Sequence, residues 1–446
     1  SVTLDSAGSA ATANVSGSPY TITADNATGG TFNAGNYTIT YQNGALTIAP
    51  AALTVTANNA AKTYGQTTTF TGSEFSASGL QNGETVGAVE LSSAGSAATA
   101  NVSGSPYAIT ADNATGGTFN AGNYAITYVN GALTISPASL TVTANNAAKT
   151  YGQTTTFTGT EFTASGLQNG ETIGAVELSS AGSAATANVS GSPYAITAGN
   201  ATGGTFNAGN YTITYNDGAL TISPASLTVT ANNAAKTYGQ TTAFTGAEFS
   251  ASGLQNGETI GSVTLDSAGS AATANVTGSP YTITADNATG GTFNAGNYTI
   301  TYNDGALTIT PAALTVTANN VAKTYGQTTT FAGDEFTASG LQNGETIGSV
   351  TLNSAGSAAT ANVSGSPYAI TADNATGGTF NAGNYTITYN DGALTITPAA
   401  LTVTAANAAK TYGQAVTFTG AEFTASGLQN GETIGSVTLN SAGSAA

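Results

Sequence analysis

An 87-residue period governs the chain. Leu53 returns as Leu140, Leu227, Leu314 and Leu401, and the only basic residues, Lys62, Lys149, Lys236, Lys323 and Lys410, keep the same step. Pro50, Pro137, Pro224, Pro311 and Pro398 do so as well. A fixed long period marks a tandem array, in which one small module is copied and length is the product. The period divides the 446 residues into a partial repeat 1–50, complete repeats 51–137, 138–224, 225–311 and 312–398, and a partial repeat 399–446. Such an array reads as a spacer, since a catalyst needs one good site and a spacer needs many units.

Within the unit 51–137, alternation of apolar and hydroxyl residues over Leu53–Ala57, Ala88–Leu91 and Tyr107–Thr110 gives the period-2 pattern of half-buried strands. Asn123 to Ile135 reads as two alternating strands around Asn130-Gly131, a hairpin signal because both residues tolerate positive φ. Glu74–Leu80 has room for one helical turn at most. Short strands separated by Gly, Asn and Pro predict an all-β fold: a tandem array of small antiparallel β-sandwich (Ig-like) domains. The expected core is Leu53, Val55, Tyr64, Phe70, Phe75, Leu80, Val86, Val89, Leu91, Val102, Tyr107, Ile109, Phe119, Tyr124, Ile126, Leu133 and Ile135. About three residues around Pro137 would separate successive domains, too few and too stiff for a free hinge. A semi-rigid string follows, each unit adding about 35–40 Å at the usual strand rise.

Composition narrows the function. Acidic residues outnumber basic ones 22 to 5, giving a net charge of −17. No basic stripe exists to neutralise phosphates, which excludes nucleic acid as a partner and disfavours anionic membranes. Cysteine, histidine, methionine and tryptophan are absent, so no disulfide framework staples the domains. The chain has no initiating Met, signal peptide or long apolar run, and any export signal and anchor are expected elsewhere.

Leu53-Thr-Val-Thr-Ala-Asn-Asn-Ala-Ala-Lys62-Thr-Tyr64-Gly65, Ala77-Ser-Gly-Leu80-Gln-Asn-Gly-Glu-Thr85 and the closing Gly122-Asn-Tyr124 to Pro137 segment resemble the MBG/YGX-type repeat. Such repeats occur in large bacterial surface adhesins and filamentous-haemagglutinin-like exoproteins. The resemblance spans the full period. It implies an exported bacterial protein at the cell surface or in the extracellular matrix, with a stalk or adhesive role. The family's common Asp after Tyr-Gly is Gln66, Gln153, Gln240, Gln327 and Gln414 here, which puts any role of that acid in doubt.

No catalytic residues are expected, and no enzyme. There is no His or Cys to act as base, nucleophile or zinc ligand, and the recurring Glu74 and Glu84 read as solvated surface acids. No cofactor is expected. Asp112 and Asn113 on a Gly-rich segment offer oxygen ligands for calcium, but Gly199 replaces the acid in the next copy, and an Asx-type turn explains the segment as well. The five lysines could form Lys–Asn or Lys–Asp isopeptide crosslinks, or be salt-bridged or solvated. Asn-x-Ser/Thr triplets at Asn14, Asn36 and Asn113 fit chance in an Asn/Thr-rich chain. The four tyrosines per unit could stack on glycans if exposed, yet their alternation favours packing.

The expected function is therefore a structural repeat shaft of a bacterial adhesin or extracellular matrix fibre. Its partners would be further copies of the chain, end to end or side by side; complementation between the partial terminal repeats, or a mere window on a longer array, fits the ends. The alternative is a multivalent glycan- or mucin-binding module acting through avidity.

Overall fold

The computed structural model describes residues 1–445. It is built of strands and short 3-10 turns, falling into two compact units, 1–224 and 225–446. Residues 51–137 show how one repeat is made. Its strands are β1 (Ala51–Ala57), β2 (Ala60–Thr63), β3 (Phe75–Ser78), β4 (Val86–Ser92), β5 (Tyr107–Gly117), β6 (Tyr124–Val129) and β7 (Gly131–Ser136). They form a three-stranded sheet, β3-β1-β6, and a four-stranded sheet, β2-β7-β5-β4. Alternation does its work between them: Leu53, Val55 and Ala57 of β1 face inward against Val89, Ile109 and Leu133, and all are buried.

The Asn-Gly segment is a corner, not a hairpin. Strands β6 and β7 flank Asn130 but lie in different sheets. β6 runs parallel to β1, with Leu53 opposite Ile126 and Val55 opposite Tyr128. β7 runs parallel to β2, with Leu133 opposite Ala60 and Ile135 opposite Lys62. Two neighbouring strands thus leave one sheet together and enter the other, bending at Asn58-Asn59 and at Asn130. The Asn59 side chain ties the two bends by accepting from the Ala132 amide at 2.8 Å. A Cβ on Gly131 would lie 2.6 Å from the Ala57 carbonyl oxygen and 2.7 Å from that of Asn58, so the corner requires glycine there. The sandwich accordingly mixes parallel with antiparallel pairs. Replacing Gly131 with alanine is expected to destabilise its repeat by about 1–3 kcal/mol through this overlap, read as a lowered thermal midpoint with no change in the other repeats.

Glu74–Leu80 holds strand β3, not a helical turn. It pairs antiparallel with β1, Ala57 opposite Phe75. Of the expected core, Leu53, Val55, Tyr64, Val89, Ile109, Tyr124, Leu133 and Ile135 are buried. The larger rim residues Phe70, Phe75, Leu80, Val86, Leu91, Val102, Tyr107, Phe119 and Ile126 are half-buried, because a sandwich this narrow covers only one side of each. Ala57, Ala111 and Ala114 complete the interior.

The link between complete repeats is tighter than three residues. Strand β7 ends at Ser136 and the next repeat's first strand, Ala138–Ala144, begins after Pro137 alone. The repeats 138–224, 225–311 and 312–398 reproduce both sheets. The partial repeats carry fewer strands: Thr3–Asp5, Tyr20–Asp25 and Gly44–Leu46 pair in the first, and Thr402–Ala405 with Phe423–Ser426 in the last. Among the described residues no helix is long and apolar enough to cross a membrane.

Candidate functional site

The most elaborate polar arrangement lies where one repeat meets the next. In the unit 1–224, Tyr64 follows β2 and projects from repeat 51–137 toward Glu171, Asn169, Asn210 and Tyr211 of repeat 138–224. Its position follows from alternation: Ala60, Lys62 and Tyr64 fall on one face, and the Tyr64 amide is anchored to the Ser136 carbonyl at 2.9 Å. The Tyr64 hydroxyl donates to Glu171 Oε1 at 2.7 Å, and the Tyr211 hydroxyl donates to Glu171 Oε2. One carboxylate therefore receives two phenols from two repeats. The rings meet edge to face, with centroids 5.5 Å apart.

A second bridge lies beside it. Two 3-10 turns, Val102–Gly104 and Ala208–Asn210, approach across the junction. The Val102 amide donates to Asn210 Oδ1 at 2.9 Å, and Asn210 Nδ2 donates to Asn101 Oδ1 at 2.8 Å. Asn210 is only 1% exposed, so its carboxamide is held in one orientation. Asn169 Nδ2 adds a bond to the Ala98 carbonyl at 3.3 Å. Gly65 has φ +90° and abuts Gln168 closely enough that a Cβ would sit 2.3 Å from Oε1, which explains glycine after the tyrosine. In the unit 225–446 the same parts recur: Tyr238 and Tyr385 on Glu345, and Asn384 on Asn275 and Val276.

Burial and the carboxylate set the phenol chemistry. Burial first, and then the bond to Glu171, push the Tyr211 hydroxyl up to about 12, and Tyr385 beside Glu345 likewise. Tyr64 and Tyr238 are raised for the same reasons. Both phenols thus stay neutral donors through the physiological range.

Four of the five lysines suggested for crosslinking, Lys62, Lys149, Lys236 and Lys323, are buried rather than solvated. Lys62 is 7% exposed, and its ammonium donates to the main-chain carbonyls of Gln66, at 2.9 Å, and Ala97. Lys149, Lys236 and Lys323 repeat this on Gln153 and Ala184, Gln240 and Ala271, and Gln327 and Ala358. Burial lowers all four ammonium pKa values. Lys410, in the partial repeat, is exposed and donates to Ala445. Gln66, standing where the resemblance expects Asp, accepts from the Thr63 amide at 2.8 Å and so closes the Lys-Thr-Tyr-Gly turn.

Asp112 and Asn113, the calcium candidates, form a β-bulge in β5. The register shifts between Ala88 and Glu90 of β4, Asn113 takes φ +48°, and Asp112 Oδ1 accepts from the Asn113 amide at 2.8 Å. The bulge persists where Gly199 replaces the acid, with Asn200 at φ +45°, so its geometry does not require a carboxylate. Among the described residues no three acids cluster as a metal site would. Asn14, in one of the Asn-x-Ser/Thr triplets, accepts from Asn123 Nδ2 at 2.8 Å.

Of the recurring acids, Glu84 bonds the Tyr124 hydroxyl, and its equivalent is Glu171. Glu74 instead folds onto its own loop, accepting from the Thr71 hydroxyl at 2.7 Å and from the Thr71 and Gly72 amides. Those bonds, the hydroxyl's first, lower Glu74 to about 2, and Glu161 in the same loop of its repeat matches it. The same donors bond the ionised carboxylate more strongly than the protonated acid. Their stabilisation is therefore complete above pH 4.5 and is lost as pH falls toward 2. A carboxyl NMR titration of Glu161 is expected to give that low midpoint, and Thr158→Ala to raise it; Glu335, beside Ala332, already lacks the hydroxyl.

The tyrosines do not form an exposed platform on the complete repeats. Tyr64 and Tyr124 are buried, while Tyr107 donates to the Asn101 carbonyl and Tyr128 accepts from the Ala114 amide. The large exposed apolar residues of 51–398 reduce to Val129. What sequence reasoning missed is the junction. Tyr64 and Glu171 are 107 positions apart, more than one period, and only a contact between copies can have that separation.

Residues 53–134, 140–221, 227–308 and 314–395 match the MBG domain (YGX type). No curated protein matches the chain. Similar solved structures include Drosophila N-cadherin EC1-4, at 9% identity over 65% of this chain and 82% of that one, TM-score 0.18. Another is the N-terminal four Ig domains of Dscam1 isoform 7.44, at 9% identity over 78% of this chain and 100% of that one, TM-score 0.14. Scores this low do not bear on the fold.

Proposed function

We propose, from the premise that this chain belongs to the MBG domain family (YGX type), that its repeats form the load-carrying shaft of an extracellular bacterial adhesin or matrix fibre. One observation carries the reading: the repeat-to-repeat junction is a built interface. A single-residue link, a carboxylate shared by two tyrosines and a buried asparagine bridge resist bending about Pro137. A flexible tether would not place a buried, fully bonded Asn210 between modules. The acidic surface favours an extended, well-solvated array.

The glycan-binding alternative needs an aromatic platform on each module, and the tyrosines of the complete repeats are packed or hydrogen-bonded instead. Export to the bacterial surface, and association of chains into fibres, belong to this same reading and rest on the family resemblance. The test is contour length against copy number. Arrays of two, four and six repeats, imaged by electron microscopy, should lengthen in direct proportion to the number of copies. Growth as the square root of copy number, as for a flexible chain, would overturn the shaft.

A further inference from the structure

Cysteine, methionine, tryptophan and histidine are missing, and 20 tyrosines remain. Tyrosine is therefore the side chain from which a one-electron oxidant most readily draws an electron. Within each compact unit a pair of these tyrosines touches across a junction, Tyr64 with Tyr211 and Tyr238 with Tyr385, each with ring centroids 5.5 Å apart. In each pair the two hydroxyls are held on the two oxygens of one carboxylate, Glu171 or Glu345. Bonding to a common acceptor makes the phenol ends converge, and with them the ring carbons ortho to the hydroxyls. Every ring of the two pairs is at least nine-tenths buried. The carboxylate is placed to take a proton as a phenol loses its electron.

We infer that these junction pairs are sites of oxidative coupling into dityrosine, a covalent lock between successive repeats. The co-reactant is a peroxide-class oxidant acting in one-electron steps. Each phenol gives up one electron to the oxidant and its hydroxyl proton to the shared glutamate, which passes it to water before the second transfer. The two phenoxyl radicals join through their ortho carbons. The hydrogen on each joined carbon then moves to its own oxygen, restoring both phenols. Net, two ring C–H bonds are replaced by one C–C bond, and two electrons and two protons leave. Persulfate accepts those electrons by breaking its O–O bond to give two sulfates; hydrogen peroxide takes the electrons and protons to give two waters. In a chain without cysteine, this supplies what an inter-domain disulfide supplies elsewhere. The inference stands on the pair geometry and does not depend on the shaft reading.

The test oxidises the dilute 446-residue chain with persulfate under photosensitised one-electron conditions, then maps peptides. The expected result is dityrosine, recognised by its fluorescence and by the loss of two hydrogens, joining the Tyr64 peptide to the Tyr211 peptide and the Tyr238 peptide to the Tyr385 peptide in monomeric protein. Tyr64→Phe should abolish the first crosslink and leave the second at its wild-type yield. The inference is overturned if dityrosine forms only through exposed residues such as Tyr37 and Tyr412, or only between chains. It is equally overturned if the two junction crosslinks are absent while surface tyrosines couple.

Discussion

Truncating Leu140 to alanine is expected to cost about 2–5 kcal/mol, the range for large-to-small changes in a closed core. Leu140 is 1% exposed and lies in a cluster that joins Val142, Val176 and Ala201 of its own repeat to Tyr64 and Ile135 of the repeat before. The cavity would therefore open at the root of a junction as well as inside a domain. Thermal unfolding should show repeat 138–224 melting early. Amide exchange at Val102, whose hydrogen ends on Asn210, should accelerate with it. Were Val102 to keep its protection while the repeat melted early, the packing continuity between module and junction would be refuted.

The second large effect is expected at Glu171. Glu171→Ala removes the acceptor of two tyrosine hydroxyls at once. Leaving a buried donor unpaired costs about 1–3 kcal/mol for each group, and here both losses fall on the contact between repeats. The expected outcome is a junction that opens while both sandwiches persist: Asn169, Asn210 and Tyr211 amides exchange faster, and core amides of β1 and β7 do not. The wild-type junction should behave the same way in alkali. The Tyr211 hydroxyl, ordinarily near 10, is pushed up to about 12 in the fold. Its contribution is thus whole below pH 10 and is lost as pH rises through about 12. A junction unaffected by pH across that interval would contradict the assignment.

Much of the sandwich was legible because its signals are local. Alternation in Leu53–Ala57 and Tyr107–Thr110 is a property of four or five residues, and the strands are where it places them. The corner at Asn130-Gly131 was not. A turn dipeptide reports the backbone angles it tolerates, not whether the flanking strands bond to each other, and here each bonds to a strand more than 60 positions earlier. Charge was equally misleading at Lys62. Its ammonium suggested a surface position, whereas alternation with Ala60 and Tyr64 put it inward, where main-chain carbonyls satisfy it. Alternation was the better guide. The junction was hidden for a different reason: within one repeat Tyr64 and Glu84 are merely an aromatic and an acid, and their meaning appears only when two copies are set side by side.

The paired crossing of strands between sheets has a mechanical consequence. β2 lies near the start of a repeat and β7 at its end, and the two run parallel with four residue pairs in register. Tension applied through the chain would drag them in opposite directions along their own length. Their ladder must then slide as a whole, its bonds loaded together instead of peeling one after another from an end. In a stretching experiment each complete repeat should give way in one abrupt step at high force; a gradual extension would contradict this arrangement of the terminal strands.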